Sequence, residues 1–435
     1  MWHPTGRAPL GRPDPFGLLA FPPSARGDQR RRAGYTSAVK QRGPLLGAAA
    51  GFVLGYAAWR AFEAARDLHA PYPARMDRDP RRYGSTRRAL GIAGAAREVA
   101  GLATTAFLLA DPLDAALHRL PRPLRAPAFA LTMLAAGAVR DAGVDYVEDY
   151  LLERVYGTSE RTARAWLGDH LKGVGVGAAV SAVVVVLADA VVVRAPRRWP
   201  LIAIAATPPL LAFATVVAPT FVLPLFNEYR PVTGELEPRI RALAGRYGVG
   251  DAAILRFDMS RQTKKANAFV TGVLGSERIV LGDTLVNAFE PDETLFVVAH
   301  ELGHYVRRDP WLGIVLGTAA IAAMLTCADA ALRRTTTAGV TSAAQGARFG
   351  FYALLAQFAL TPVLKAASRA MESRADRFAL EATADAQAGI RAFRRLGEQN
   401  LAELEPPRWA ELLLASHPSL ASRIRALEAA APPTR

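Results

Sequence analysis

The sequence predicts a mainly α-helical, multi-span membrane protein with one mixed polar insert that holds short strands. Three observations lead there. Of 435 residues, 51% are apolar and the mean hydropathy is positive, a pairing rare in soluble proteins. The apolar residues gather in about seven runs. Between the fifth and sixth runs the composition changes, and residues 227–309 are polar and mixed. The formal charge of +14, carried mostly by Arg, is scattered over short loops between apolar runs, as loop cations beside anionic headgroups are. A nucleic-acid partner would need basic and aromatic residues clustered on a soluble domain, and the sequence holds no such cluster. The one cysteine, Cys327, excludes a disulfide framework and a cysteine-rich metal module. Any metal must be held by His and carboxylates.

Residues 1–42, rich in Pro, Gly and Arg, read as a disordered polar tail. A signal peptide fits poorly there, because the first apolar run begins only after residue 43. Residues 43–226 then read as an N-terminal membrane domain of about five spans, with runs at 44–59, 99–117, 126–139, 173–193 and 201–226. A span takes about 20 mainly apolar residues. The run 173–193 meets this, broken only by Asp189; 99–117 is interrupted by Asp111 and Asp114; 44–59 and 126–139 are short enough to be buried core helices instead. The fifth run carries Pro208, Pro209, Pro219 and Pro224. Acids inside apolar runs also suit a transporter or a non-catalytic scaffold.

In the polar insert, 235–247 reads as an amphipathic helix, and "ANAFVTG" (266–272) and "RIVLG" (278–282) as two strands joined by a Gly-containing turn. "PDETLFVVAHELGHYVRRD" (291–309) reads as a helix with Asp292 near its start and Glu293 in its first turn. Runs 311–332 and 349–364 make a transmembrane hairpin over 310–364. A second helical pattern covers 365–395, within a final segment 365–435.

His300 and His304 are four apart and share a helix face, so both can reach one ion. Glu301 sits one residue round, where it can reach a water on that ion without being a ligand. Zinc lowers the pKa of such a water to near 7, and a carboxylate takes its proton. A catalytic zinc needs a third protein ligand, and "MESRAD" offers Glu372, with Asp376 four residues on to orient a histidine or donate a proton. Two surface histidines on an ordinary helix give the same first pattern, and Glu372 and Asp376 on an Arg-rich helix read equally as surface charges. The pairing of the two motifs argues for a site. Topology adds a condition: His304 precedes the sixth run and Glu372 follows the seventh, so the motifs share one membrane face only if both runs span.

These residues resemble the type I CAAX prenyl protease family, the integral-membrane zinc endopeptidases, over most of 44–430. "HELGHY" is similar to the family's zinc helix, which usually ends in Trp where Tyr305 stands, and "SRAMESRADRFA" to its glutamate-ligand helix. "DYLLERVYGTSERT" (149–162), "APTFVLPLFNEYRPVTGELEPRI" (218–240), "KKANAFVTGVLGSERIVLGDTLV" (264–286) and "SHPSLASRI" (416–424) resemble further family segments. The resemblance implies seven helices around a chamber, with a zincin-like catalytic region over 227–309 and 365–435. It implies one zinc ion per chain on His300, His304 and Glu372, with Glu301 as general base and Asp376 as proton donor. It also implies that Asn267, Ala268 and Phe269 pair with a peptide or protein substrate, prenylated in the best-known members. His417 and Arg423 match positions near the cleft, suited to an oxyanion. The family suggests a cytosolic catalytic face; Arg lies on both sides, so charge gives no orientation.

Overall fold

The computed structural model describes residues 78–217, 221–272, 277–336, 340 and 342–430, all within one compact unit, Ala57–Arg435. The expected tail 1–42 and first span 44–59 lie outside the described residues.

The N-terminal half is built of long helices. α1 (Pro80–Leu117) starts behind Asp79, whose carboxylate accepts the Arg81 N–H at 2.8 Å. The expected run 99–117 is only its second half. Asp111, which interrupts that run, is ion-paired to Arg348 of a later helix. α2 (Arg122–Asp145) leads to α3 (Ala163–Arg194) and α4 (Trp199–Val217). α3 leaves Val180, Val183, Val184 and Leu187 exposed, as a helix apolar on all sides does when lipid is its solvent. α4 is described as far as Val217; residues 218–220 lie outside the described residues, and Leu223–Leu225, near the end of the expected fifth run, is a 3₁₀ turn.

The insert forms a four-stranded sheet in the order β1-β2-β4-β3. β1 (Tyr229–Pro231) precedes α5 (Leu236–Gly245), which covers one side through Ile240 and Leu243. β2 (Ala253–Phe257) runs parallel to β4 (Arg278–Gly282), and β3 (Ala268–Thr271) pairs antiparallel to β4 with Phe269 opposite Val280. β3 ends the sheet. The sequence predicts β3 and β4 and misses β1 and β2. α6 (Asp283–Ala288) links the sheet to α7 (Pro291–Val306). Pro291 at the first helical position and a reciprocal Glu290–Glu293 capping box fix where α7 begins. Its inner face (Phe296, Val298, Leu302) packs with Phe378, Phe393 and Leu427 in the main core.

α8 (Asp309–Thr335) and α9 (Ala343–Thr383) form the hairpin. No break falls at 364–365. The seventh apolar run and the carboxylate pattern are one helix of 41 residues, about 60 Å long, twice the thickness of a bilayer core. The pattern expected to reach 395 stops at Thr383: Ala384 is left-handed at φ 52°, and α10 (Ala386–Gln399) starts behind the Asp385 cap. α11 (Arg408–Leu413) and α12 (Leu420–Ala430) complete the chain. Among the described residues four helices are long and apolar enough to cross a membrane: α1, α3, α8 and α9.

Two junctions set where the site can form. The first joins the N-terminal half to the insert. Lys265 Nζ lies 2.7 Å from Glu153 Oε2 and donates to Tyr83 Oη at 2.7 Å, and the Lys264 N–H donates to Thr158 O at 2.7 Å. Burial pushes the Glu153 carboxyl up, but Lys265 and hydrogen bonds from Thr158 and Tyr83 more than offset it and hold it below the usual range. Burial also pushes Lys265 down, so the pair is desolvated at both ends and rests on its hydrogen bonds as much as on charge. Three residues past Lys265, β3 begins.

The second junction is the crossing of α7 with α9. A Cβ on Gly303 would stand 3.0 Å from Phe378 Cδ1 and 3.2 Å from the Ala375 Cα. Backbone on one side leaves no room to give. Gly303→Val is therefore expected to cost at least the ~1–3 kcal/mol of an overpacked core and to lower the thermal midpoint in detergent. A midpoint equal to wild type would show that the crossing is looser than this geometry.

Candidate metal centre

α7 presents His300 and His304 one turn apart, toward α9. Their Nε2 atoms are 3.2 Å apart. Glu372 reaches in from α9, with Oε2 3.2 Å from His300 Nε2 and Oε1 3.4 Å from His304 Nε2. One donor atom from each of the three lies within 4.8 Å of the others. Tetrahedral ligands about 2.1 Å from one ion stand roughly 3.4 Å from each other, which the separation of the two nitrogens approaches, with a different Glu372 oxygen facing each histidine.

The far side of each ring shows why the two Nε2 atoms are free to ligate. His300 Nδ1 is 2.9 Å from Asp376 Oδ1, and His304 Nδ1 is 2.8 Å from Asp309 Oδ2. A carboxylate can only accept, so each Nδ1 carries a proton, and each ring, once neutral, turns a lone pair on Nε2 toward Glu372. Glu372 Oε2 is buried and receives no hydrogen bond of acceptable geometry. Two lone pairs and a buried carboxylate facing one point call for a cation, and the residues present fit a divalent metal.

The charge balance agrees. Burial works against charge on His300, yet the carboxylates of Asp376 and Glu372 beside its two nitrogens outweigh it and push the imidazole up to about 9. Burial raises the Glu301 carboxyl above the ordinary range, against the pull of His300 and His304. Glu301 is half-buried beside His300.

Arg423 is expected at the substrate cleft. The structure places it in the site but spends it elsewhere. It is 8% exposed, donates from Nε and Nη2 to Asp376 at 2.8 and 2.6 Å, and lies 4.1 Å over the Phe393 ring. Asp376 is thus held between His300 and Arg423, the arrangement of an orienting group. His417 comes in at the rim, 57% exposed, with Nε2 3.3 Å from Glu372 Oε1 and Nδ1 2.8 Å from Ser416 Oγ. Ala268 and Phe269 lie in β3, which packs against α7, while Asn267 precedes the strand and its carbonyl accepts the Gly282 N–H at 2.8 Å. Sequence reasoning misses Asp309 and Arg374, whose guanidinium donates to Asp309 Oδ1 at 2.7 Å. An acid at the start of a helix, five residues past a candidate ligand, was the available signal.

A membrane-helix body with a candidate histidine–carboxylate metal site is the arrangement of a membrane metallopeptidase, and the comparisons agree. Residues 232–431 match peptidase family M48, and residues 83–228 match the CAAX prenyl protease N-terminal region, described as five membrane helices. The uncharacterized metalloprotease YhfN of Bacillus subtilis is 28% identical over 288 residues, 64% of this chain and 68% of that protein. The CAAX prenyl protease 1 homolog of Oryza sativa is 27% identical over 346 residues, 75% of this chain and 76% of that one. CAAX prenyl protease 1 of Saccharomyces cerevisiae is 32% identical, but the match covers only 38% of this chain and 37% of the yeast protein. Among solved structures, S. mikatae Ste24p superposes with a TM-score of 0.68 at 22% identity, covering 87% of this chain and 97% of that one, which shows a shared fold. The chain belongs to peptidase family M48, in its CAAX prenyl protease branch, and is an integral membrane metalloendopeptidase.

The raised His300 value gives a test. In the metal-free protein that ring holds an extra proton up to about pH 9, and a metal must displace it. The affinity of the stripped protein for zinc should therefore climb with pH through the neutral range and level off near pH 9. A flat profile between pH 6 and 8, read by dye competition, would mean that no histidine proton leaves on binding.

Proposed function

We propose that the protein is a zinc endopeptidase, with one zinc ion per chain on His300, His304 and Glu372, that cleaves membrane-associated proteins on the cytosolic face. The observation that carries this is the convergence of one donor atom each from His300, His304 and Glu372, all within 4.8 Å of one another, beside a half-buried acid, Glu301. Bound there, zinc would polarise the scissile carbonyl and acidify a water.

The chain's own residues do the rest. The substrate lies extended along β3, the end strand of the sheet, around Asn267, Ala268 and Phe269, and takes backbone hydrogen bonds that demand little of its sequence. Glu301 accepts the proton of the attacking water and passes it to the leaving amine. Its raised basicity suits the first task and its half-burial the second. Asp376, braced by Arg423, keeps His300 in the tautomer that ligates through Nε2. His417, at the rim and bonded to Ser416, stands where it can donate to the carbonyl oxygen as charge develops. Its exposure also lets it move aside for substrate. Prenylated C-terminal peptides are the first substrates to try, on the likeness to proteins named CAAX prenyl proteases. The division into an N-terminal membrane half (43–226), a substrate-strand and zinc-helix region (227–309), a hairpin (310–364) and a C-terminal catalytic segment (365–435) is the working scheme for this reading.

Glu301→Gln is the direct test. The amide keeps the shape and cannot take the proton, so zinc content should stay at wild type while turnover of a fluorogenic peptide falls about 10²–10⁴-fold. Turnover within about threefold of wild type at equal zinc occupancy would remove Glu301 from the base role.

A further inference from the structure

His304 is the more open of the two histidine ligands, its side chain 23% exposed against 9% for His300. Something must fix its ring. We propose that Asp309 is the positioning carboxylate of His304, held in place by Arg374, so that His304 ligates through Nε2 only while this second brace is intact. The proposal rests on the zinc-site reading above.

The geometry is direct. Asp309 Oδ2 faces His304 Nδ1 at 2.8 Å, and Oδ1 takes the Arg374 guanidinium at 2.7 Å. The carboxylate is 7% exposed. An acid in the first turn of a helix is ordinarily read as a partner for the open N–H groups and the positive end of the dipole. Here both oxygens go instead to side chains on the neighbouring helices α7 and α9. The backbone is bent to allow it: Arg308, between the two helices, is left-handed at φ 60°, a conformation unfavourable for a side chain of its kind. That turn brings the start of α8 back under His304.

Asp309 therefore touches three elements at one point. It reads the ring of a ligand on α7, begins a helix that enters the membrane, and pairs with an arginine two residues from Glu372 on α9. It repeats on His304 what Asp376 and Arg423 do on His300. An imidazole whose Nδ1–H is given to a carboxylate is fixed in tautomer and made more basic at Nε2, and loss of such a partner typically costs 10–100-fold in metal affinity.

The experiment uses the full chain in detergent, stripped of metal and titrated with zinc against a chelating dye. Asp309→Asn should lower zinc affinity roughly 10–100-fold. Arg374→Gln, which leaves Asp309 in place but unheld, should lower it by a smaller factor, and it carries the test alone if Asp309→Asn does not fold. The thermal midpoint of the metal-free protein gives the second readout. An Asp309 that served only to pair with Arg374 would make both variants lose metal-free stability alike, with zinc affinity within about threefold of wild type; that pattern would overturn the proposal. Wild type that binds no zinc would overturn the metal-centre reading instead, and so the two failures are separable.

Discussion

The site depends on how closely α7 crosses α9. The two histidines and Glu372 lie at either end of the membrane hairpin, some seventy residues apart in sequence, and no covalent link brings them together. What brings them together is the absence of side chain at the contact. Gly303, next to His304, lies against Ala375, next to Asp376. Small residues on both helices let the backbones approach, and only at that separation can the short arms of Glu372 and Asp376 reach both nitrogens of the His300 ring. A wider crossing would leave the carboxylates in a dry core without partners, which is the costly arrangement.

Once assembled, the site is a problem in charge. Glu301, Glu372, Asp376 and Asp309 bring four carboxylates, and Arg423 and Arg374 bring two guanidinium groups. The excess is two negative charges around two neutral imidazoles. A single proton on His300 meets half of it, which is why that ring titrates so high without metal. A divalent cation meets all of it. The arginines sit behind the carboxylates, where they steady them without occupying the ion's place.

The helical membrane architecture was legible in the sequence because apolar runs need only composition to be seen. The clustering of His300, His304 and Glu372 was legible because helix periodicity turns spacing into geometry. What escaped were features decided by tertiary contact. The α9 helix runs unbroken through Lys365 because polarity along a helix marks where lipid ends, not where the helix does. β1 and β2 were missed because three residues ending in Pro231, and a strand with both faces partly covered, give no clean alternation. The role of Arg423 could not be read from a motif, since the same guanidinium serves a substrate or a carboxylate depending on what stands opposite. Asp309 was in plain view at the end of the "HELGHYVRRD" stretch, but the left-handed turn at Arg308 that folds it back is not a property of local propensity.

The same charges separate a catalyst from a scaffold that has merely kept the fold. A scaffold needs its buried acids paired, and three of the four are: Asp309 with Arg374, Asp376 with Arg423, Glu372 with the two histidines. Glu301 is the exception. Among the described residues no arginine or lysine forms an ion pair with it, and burial raises its carboxyl above the ordinary range. Structurally that is a cost with no return, since an alanine or glutamine would sit there more cheaply. For a group that must take a proton from water near neutral pH and give it back, an unpaired and basic carboxylate is the requirement itself. That is the arrangement the proposed base role of Glu301 asks for.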